Sequence, residues 1–301
     1  MLALMLLATQ AHAQACICSR NVALPTGVAV RPWEGTFTVE YAVNQSGGEG
    51  WSGFSTVDRG GNSMAAMAMP GHLVQTPSLT AALGLPASFS VEATLPWMDI
   101  RHLYPSEMPG DVDSSSLADT TVLVRWGRPS KDKRTFFGVG AGVSLPTGKV
   151  VVDTPVRAGK GAVGGIVNVQ VLRKVSPLVG VGLSAGASPT IFEPVDRYRV
   201  GSSASVAAGV RFTPRENGRW MFSGYLIGQF RDKDREEALV YEHTGVLSAG
   251  VSLGASWNVW AKDLRSVTLL ARGEVPLWQI VGDPWLAENW GATAGVNVVA
   301  F

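Results

Sequence analysis

The sequence predicts an all-β chain, a 12-stranded antiparallel transmembrane β-barrel over residues 34–301 with a short N-terminal extension. Three observations carry that reading. From about residue 35 onward, short segments alternate apolar with small or polar residues. This period of two is what a strand shows when one face meets lipid and the other a lumen. Only 16% of residues are charged, against about 25% in a soluble domain, while 46% are hydrophobic and 35 are glycine. Along the predicted barrel no single stretch is apolar enough for a spanning helix, and a closed barrel needs none.

In chain order, residues 1–15 (MLALMLLATQAHAQA) have an apolar core followed by small residues, the pattern of a secretory signal without its usual basic start. Cleavage after Ala13 and cleavage after Ala15 both fit the small-x-small rule. The second would leave Cys16 as the first mature residue, open to acylation, although Ala13 stands where a lipoprotein signal prefers Leu. Residues 16–33 are read as a periplasmic extension kept extended by Pro25 and Pro32. They hold the only cysteines, Cys16 and Cys18, whose single intervening residue would strain a mutual disulfide. An intermolecular disulfide and a two-thiolate metal or redox site are the other readings, the latter short of a full zinc ligand set.

Twelve strands follow, near 34–44, 73–85, 88–100, 117–127, 135–147, 161–174, 177–189, 200–213, 219–231, 243–259, 266–281 and 288–301. The odd-numbered connections are long or polar, and the even-numbered ones are mostly tight, including Pro86-Ala87 and the charged turns GRPSKDKR and TPRENGR. An even count with alternating loop lengths places both chain ends in the periplasm and the long loops outside a Gram-negative-type cell. Strand parity assigns the faces. In the ninth strand Trp220, Phe222, Leu226 and Phe230 oppose Ser223, Gln229 and Arg231, and in the eleventh Val267, Leu269, Ala271 and Val275 oppose Thr268, Arg272 and Glu274. The apolar parity is expected to face lipid, with Trp97, Trp126, Trp220, Trp260 and Trp290 forming an interfacial girdle. The sequence ends on Phe301, the terminal aromatic read by outer-membrane assembly machinery. It shares parity with Asn297 and Gly295 unless a bulge resets the register.

Three stretches carry a resemblance. GVSLPTGK (Gly142 to Lys149) closes the fifth strand, AGKGAVGGIVNVQ follows across a loop, and SLADTTVLVRW (Ser116 to Trp126) precedes both, with Leu117-Ala118 standing where a glycine-rich pair is usual. Together they resemble the outer-membrane transporter family named for the MetA pathway of phenol degradation. That resemblance implies passage of small organic molecules across the outer membrane. Read on its own, the LPTGK element has a structural explanation: Pro146 belongs near a strand end, Gly148 can turn the chain, and Lys149 can reach solvent or the pore mouth.

Parity places Glu40, Glu92, Asp119, Arg125, Arg211, Arg231, Arg272 and Glu274 on the inward face among Gly, Ser, Thr and Asn. These are the candidate pore-lining residues. Opposed acids and bases there would set a transverse field that orients a polar solute, or would pair off and plug the barrel. The first outer loop holds Met64, Met67, Met69 and His72 as candidate gate or solute site, with Met98, His102 and Met108 at or near the second. Methionine-rich packing, an apolar docking site and a Cu(I)-capturing mouth all fit thioethers beside an imidazole.

The leading expectation is a passive channel for small, aromatic or hydrophobic solutes, gated by the first outer loop, with lateral exit between strands as a variant route. The alternatives are a structural barrel that docks a periplasmic partner through its cysteine tail and a copper-capturing barrel. An enzyme is not expected, because His72, His102 and His243 open no His-x-Ser-Asn-Gly motif of the outer-membrane phospholipase kind. The net charge of +1, without a basic run, gives no basis for a nucleic-acid partner, and no cofactor motif is found.

Overall fold

The alternation does close into a barrel. The computed structural model describes residues 31–46, 56–57, 72–102, 114–148, 159, 161–192, 198–215, 218–236, 239–241, 245–262, 265–281 and 288–300. Twelve long strands form the wall: β1 (Gly35–Ser46), β2 (His72–Leu85), β3 (Phe89–His102), β4 (Thr120–Pro129), β5 (Thr135–Leu145), β6 (Gly164–Lys174), β7 (Val179–Ser188), β8 (Ser203–Phe212), β9 (Trp220–Arg231), β10 (Val246–Lys262), β11 (Arg265–Val281) and β12 (Glu288–Val299). Each pairs antiparallel with its sequence neighbours, and β12 pairs with β1 to seal the cylinder. At that seam Asn297 Nδ2 donates to Thr38 Oγ1 at 2.7 Å, and Trp290 Nε1 donates to Gln45 Oε1 at 2.6 Å.

Burial inverts the pattern of a soluble protein. On β1, Phe37, Val39 and Tyr41 are exposed while Thr38 and Glu40 are buried. On β3, Phe89, Val91, Leu95 and Trp97 are exposed while Ser90, Glu92 and Thr94 are buried. Apolar residues cover the outside because lipid, not water, is the solvent for that face. Trp97, Trp220, Trp260 and Trp290 all lie exposed on the outer wall. Trp220 stacks on Trp257 with centroids 5.5 Å apart and on Phe222 at 6.1 Å, which gives that rim of the wall a continuous aromatic band.

Short turns and long connections fall at opposite ends. The β2–β3 turn uses Ala87 (φ 59°) and Ser88 (φ 65°), both in the left-handed region, at a cost of roughly 1–2 kcal/mol per residue. The β4–β5 turn is held by Asp132. Its carboxylate accepts from Ser130 Oγ and from the Arg134 N–H, and these bonds keep it below the usual carboxylate range. At the other end the connections carry short strands of their own. Tyr198–Arg199, Asp234–Glu236 and Leu239–Tyr241 form a separate small sheet. Thr56–Val57, from the first long connection, pairs in parallel with Gln279 and Ile280 of β11.

The expected strands are all found, with ends displaced by up to three residues. Three departures have physical causes. The fourth predicted strand is split: Ser114–Leu117 pairs separately with β3, the chain breaks at Ala118-Asp119, and β4 begins at Thr120. The fifth strand ends at Leu145 because Pro146 has no N–H for the ladder. The last strand ends at Val299, and its ladder with β11 and β1 runs without a register shift from Gly291 to Val299, so no bulge resets the parity there. Residues 1–30, Met64, Met67, Met69, Met108, Lys149, His243 and Phe301 lie outside the described residues.

Candidate functional site: the inner face of the barrel

The inner wall owes its character to glycines set opposite long polar side chains. Gly140 is the register partner of Asn168, and Gly138 of Gln170. A Cβ on Gly140 would stand 2.7 Å from Asn168 Oδ1, and one on Gly138 would stand 2.8 Å from Gln170 Nε2. Glu40 lies over Gly295 in the same way, 2.8 Å from where a Cβ would be. Each long side chain is laid across the neighbouring strand, in the space that a missing Cβ leaves.

The predicted inward residues other than Asp119 share the parity of the buried residues of their strands, and the structure brings some of them together. Arg125 Nη2 donates to Glu92 Oε1 at 3.1 Å across β3 and β4, with the Glu92 side chain only 2% exposed. Arg272 Nε lies 3.2 Å from Glu274 Oε1, two residues along β11 and on the same face. Arg211 Nε donates to the phenol oxygen of Tyr225 at 3.0 Å. Arg231 ends β9 at the long-loop end, half-buried, on the wall opposite β3. Buried charges in a low-dielectric interior need such partners, and the two carboxylate pairs supply them.

Asp119 is fully buried but sits in the break before β4, not on a strand. Its carboxylate accepts the Gly148 N–H at 3.0 Å. Thr147 Oγ1 donates to the Ala118 carbonyl at 2.9 Å and accepts the Thr120 N–H at 2.8 Å. A Cβ on Gly159 would come within 2.6 Å of Asp119 Oδ1 and 2.8 Å of Gly148 Cα. The three motif stretches of the sequence therefore meet at one point, where the hydroxyl of Thr147 and the carboxylate of Asp119 satisfy backbone groups that the strand break frees. This supports the structural explanation of the LPTGK element.

Sequence reasoning missed two features. Met98, expected at or near a loop, is an inward residue of β3, fully buried with Ile100 and with Val74 of β2. These three make an apolar patch on the inner face near the long-loop end. Tyr225 shares parity with Ser223 and Gln229, so alternation alone could have singled it out. His72 opens β2, and its register partners are His102 and Ser46. Among the described residues no group of three His, Cys, Asp or Glu could hold a metal.

A crystal structure of an outer membrane channel from Pseudomonas putida F1 aligns with this chain at a TM-score of 0.75 and 12% identity, covering 93% of this chain and 100% of that one. The likeness is one of fold. A deletion mutant of the TodX monoaromatic hydrocarbon channel aligns at a TM-score of 0.48 and 11% identity, over 92% of this chain and 91% of that one. The β domain of the Bordetella autotransporter Brka aligns at 0.44 and 11% identity, over 89% and 100%. Neither of these two weaker likenesses bears on what this chain does. No family model and no curated protein matches the sequence.

Proposed function

We propose that this chain is an outer-membrane channel for small hydrophobic or aromatic solutes, entered at the long-loop end and crossed by passive diffusion. The observation that carries the reading is the inward patch of Val74, Met98 and Ile100, since apolar side chains turned inward at the long-loop end offer an apolar solute its first foothold. Glu40, Glu92, Asp119, Arg125, Arg211, Arg231, Arg272 and Glu274 line the path beyond or beside it. The connection between β1 and β2, with Met64, Met67 and Met69, serves as the gate together with His72 where β2 begins, and the pairing of Thr56–Val57 with β11 supports this by tying that connection to the wall. Residues 1–15 direct export, residues 16–33 remain in the periplasm, and Phe301 addresses the assembly machinery. The fold shared with an outer membrane channel and the three motif stretches that meet at Asp119 support membership of the family named for the MetA pathway of phenol degradation.

Single-channel conductance of the refolded mature chain in a planar bilayer tests this. Ohmic openings blocked by a small aromatic solute are expected, and silence from a barrel that migrates as folded overturns it.

A lateral route is the second reading. The β10–β11 ladder shifts register between Ala249 and Gly250, opposite Pro276, which has no N–H to donate. On the outer wall nearby, Tyr41, Val43, Leu253, Ala271, Gly273 and Ala292 border an apolar groove of about 590 Å³. A disulfide introduced across the β10–β11 seam separates the routes, because it blocks lateral delivery into the bilayer and leaves axial conductance intact.

A further inference from the structure

We infer that Arg211 and Tyr225 form a carboxylate-binding subsite inside the lumen, so that the channel's solutes include small organic acids. This rests on the channel reading for access, but the site is defined by its own geometry. Arg211 is 7% exposed and Tyr225 is 4% exposed, so both side chains have left bulk water. The guanidinium donates Nε–H to the phenol oxygen at 3.0 Å, and its Nη1 has no hydrogen-bond partner among the described residues. Because the phenol oxygen is accepting, its own proton remains available to donate. A guanidinium N–H and a phenol O–H thus stand together with no acceptor supplied by the described residues.

The surroundings keep the site positive. The register partners of Arg211 are Gly180 on β7 and Ser223 on β9, neither of which is acidic. Tyr225 faces Gly209, where a Cβ would fall 2.3 Å from the ring, so the ring lies flat on the wall. Lys174 is the next cation along the row, opposite Gly180. The nearest carboxylate in the Tyr225 row is Glu274, two strands away and held by Arg272. A buried donor without an acceptor is costly, and an anionic ligand with two acceptor oxygens relieves that cost at both donors. A carboxylate fits where an apolar solute would not, and an aromatic acid would place its ring along the apolar surface of Tyr225.

The test uses the full mature barrel, refolded in detergent, with benzoate as the probe and benzyl alcohol as its uncharged counterpart. Calorimetry is expected to show benzoate binding that Arg211→Gln weakens by at least about ten-fold and Tyr225→Phe weakens less, with benzyl alcohol unaffected by either. Arg211→Lys keeps the charge without the fork and is the control if Arg211→Gln fails to fold; it should retain part of the affinity. Equal benzoate affinity in the wild type and the Arg211 variant overturns the subsite, as does displacement of benzoate by chloride at equal concentration. Because calorimetry needs no current, a silent bilayer with intact benzoate binding defeats only the open channel. An ohmic channel indifferent to benzoate defeats only the subsite.

Discussion

The inner face of β3 changes chemistry along its own length. Ser90, Glu92 and Thr94, nearer the short turn, are polar and cross-bridged to β2 and β4: Thr94 shares a hydrogen bond with Thr80 at 2.9 Å, and Glu92 takes one from Arg125 at 3.1 Å. Met98 and Ile100, on the same face nearer the long loops, are fully buried and apolar. One strand, with one backbone geometry, thus presents a hydrogen-bonded brace at one end and a greasy surface at the other. The difference teaches that an inward side chain can serve stability or solute contact, and that position along the strand separates the two. The brace is expected to matter to folding, the apolar end to what is carried.

The largest effect should come from breaking the brace. Glu92→Ala leaves Arg125 without its Glu92 partner in the interior and is expected to cost about 3–5 kcal/mol, read from denaturant unfolding in lipid vesicles. A loss under 1 kcal/mol would mean that the pair is well hydrated and that the two ends of β3 are not so different. At the apolar end, Met98→Ala should cost about 2–4 kcal/mol. It should also slow uptake of an apolar solute into liposomes, whereas Thr94→Val should not, and equal slowing by both would dissolve the distinction.

Smaller effects sharpen the comparison by testing the wall that both ends share. Gly209→Ala forces a Cβ to within 2.2 Å of the Gly224 carbonyl oxygen, and it should cost about 1–3 kcal/mol while shifting the Tyr225 ring. Thr147→Val removes the hydroxyl at the Asp119 knot and should cost about 1–2 kcal/mol, with faster amide exchange at Thr120 as the local signature. Smallest is Asp132. Its folded value lies below the ordinary one near 3.9, so its contribution is present above that value and is lost as pH falls through the folded one. A wild-type advantage over Asp132→Ala that grew on acidification would contradict the assignment.

Much of this was legible because a barrel strand repeats every two residues. Glu92, Arg125, Arg211, Arg272 and Glu274 could be assigned to the inner face from parity alone, and the strands of the ninth to eleventh positions were found within three residues of their ends. The split at Ala118-Asp119 was not legible, since its cause lies 29 residues on, at Thr147 and Gly148. Met98 was grouped with the second outer loop, although its parity, shared with Glu92, already placed it on the inner face. Pairings such as Arg211 with Tyr225 depend on cross-strand register, which a single strand's pattern does not contain.

The seam between β1 and β12 has a consequence for how the molecule comes into being. Thr38 finds Asn297 across 259 positions of chain, so the two strands that shut the cylinder are the most distant in sequence. Until β12 arrives, every shorter intermediate carries two raw edges of unpaired backbone, which a hydrocarbon environment does not tolerate. Closure is therefore a late event in time, and a chain cut before β12 has no smaller barrel to fall back on.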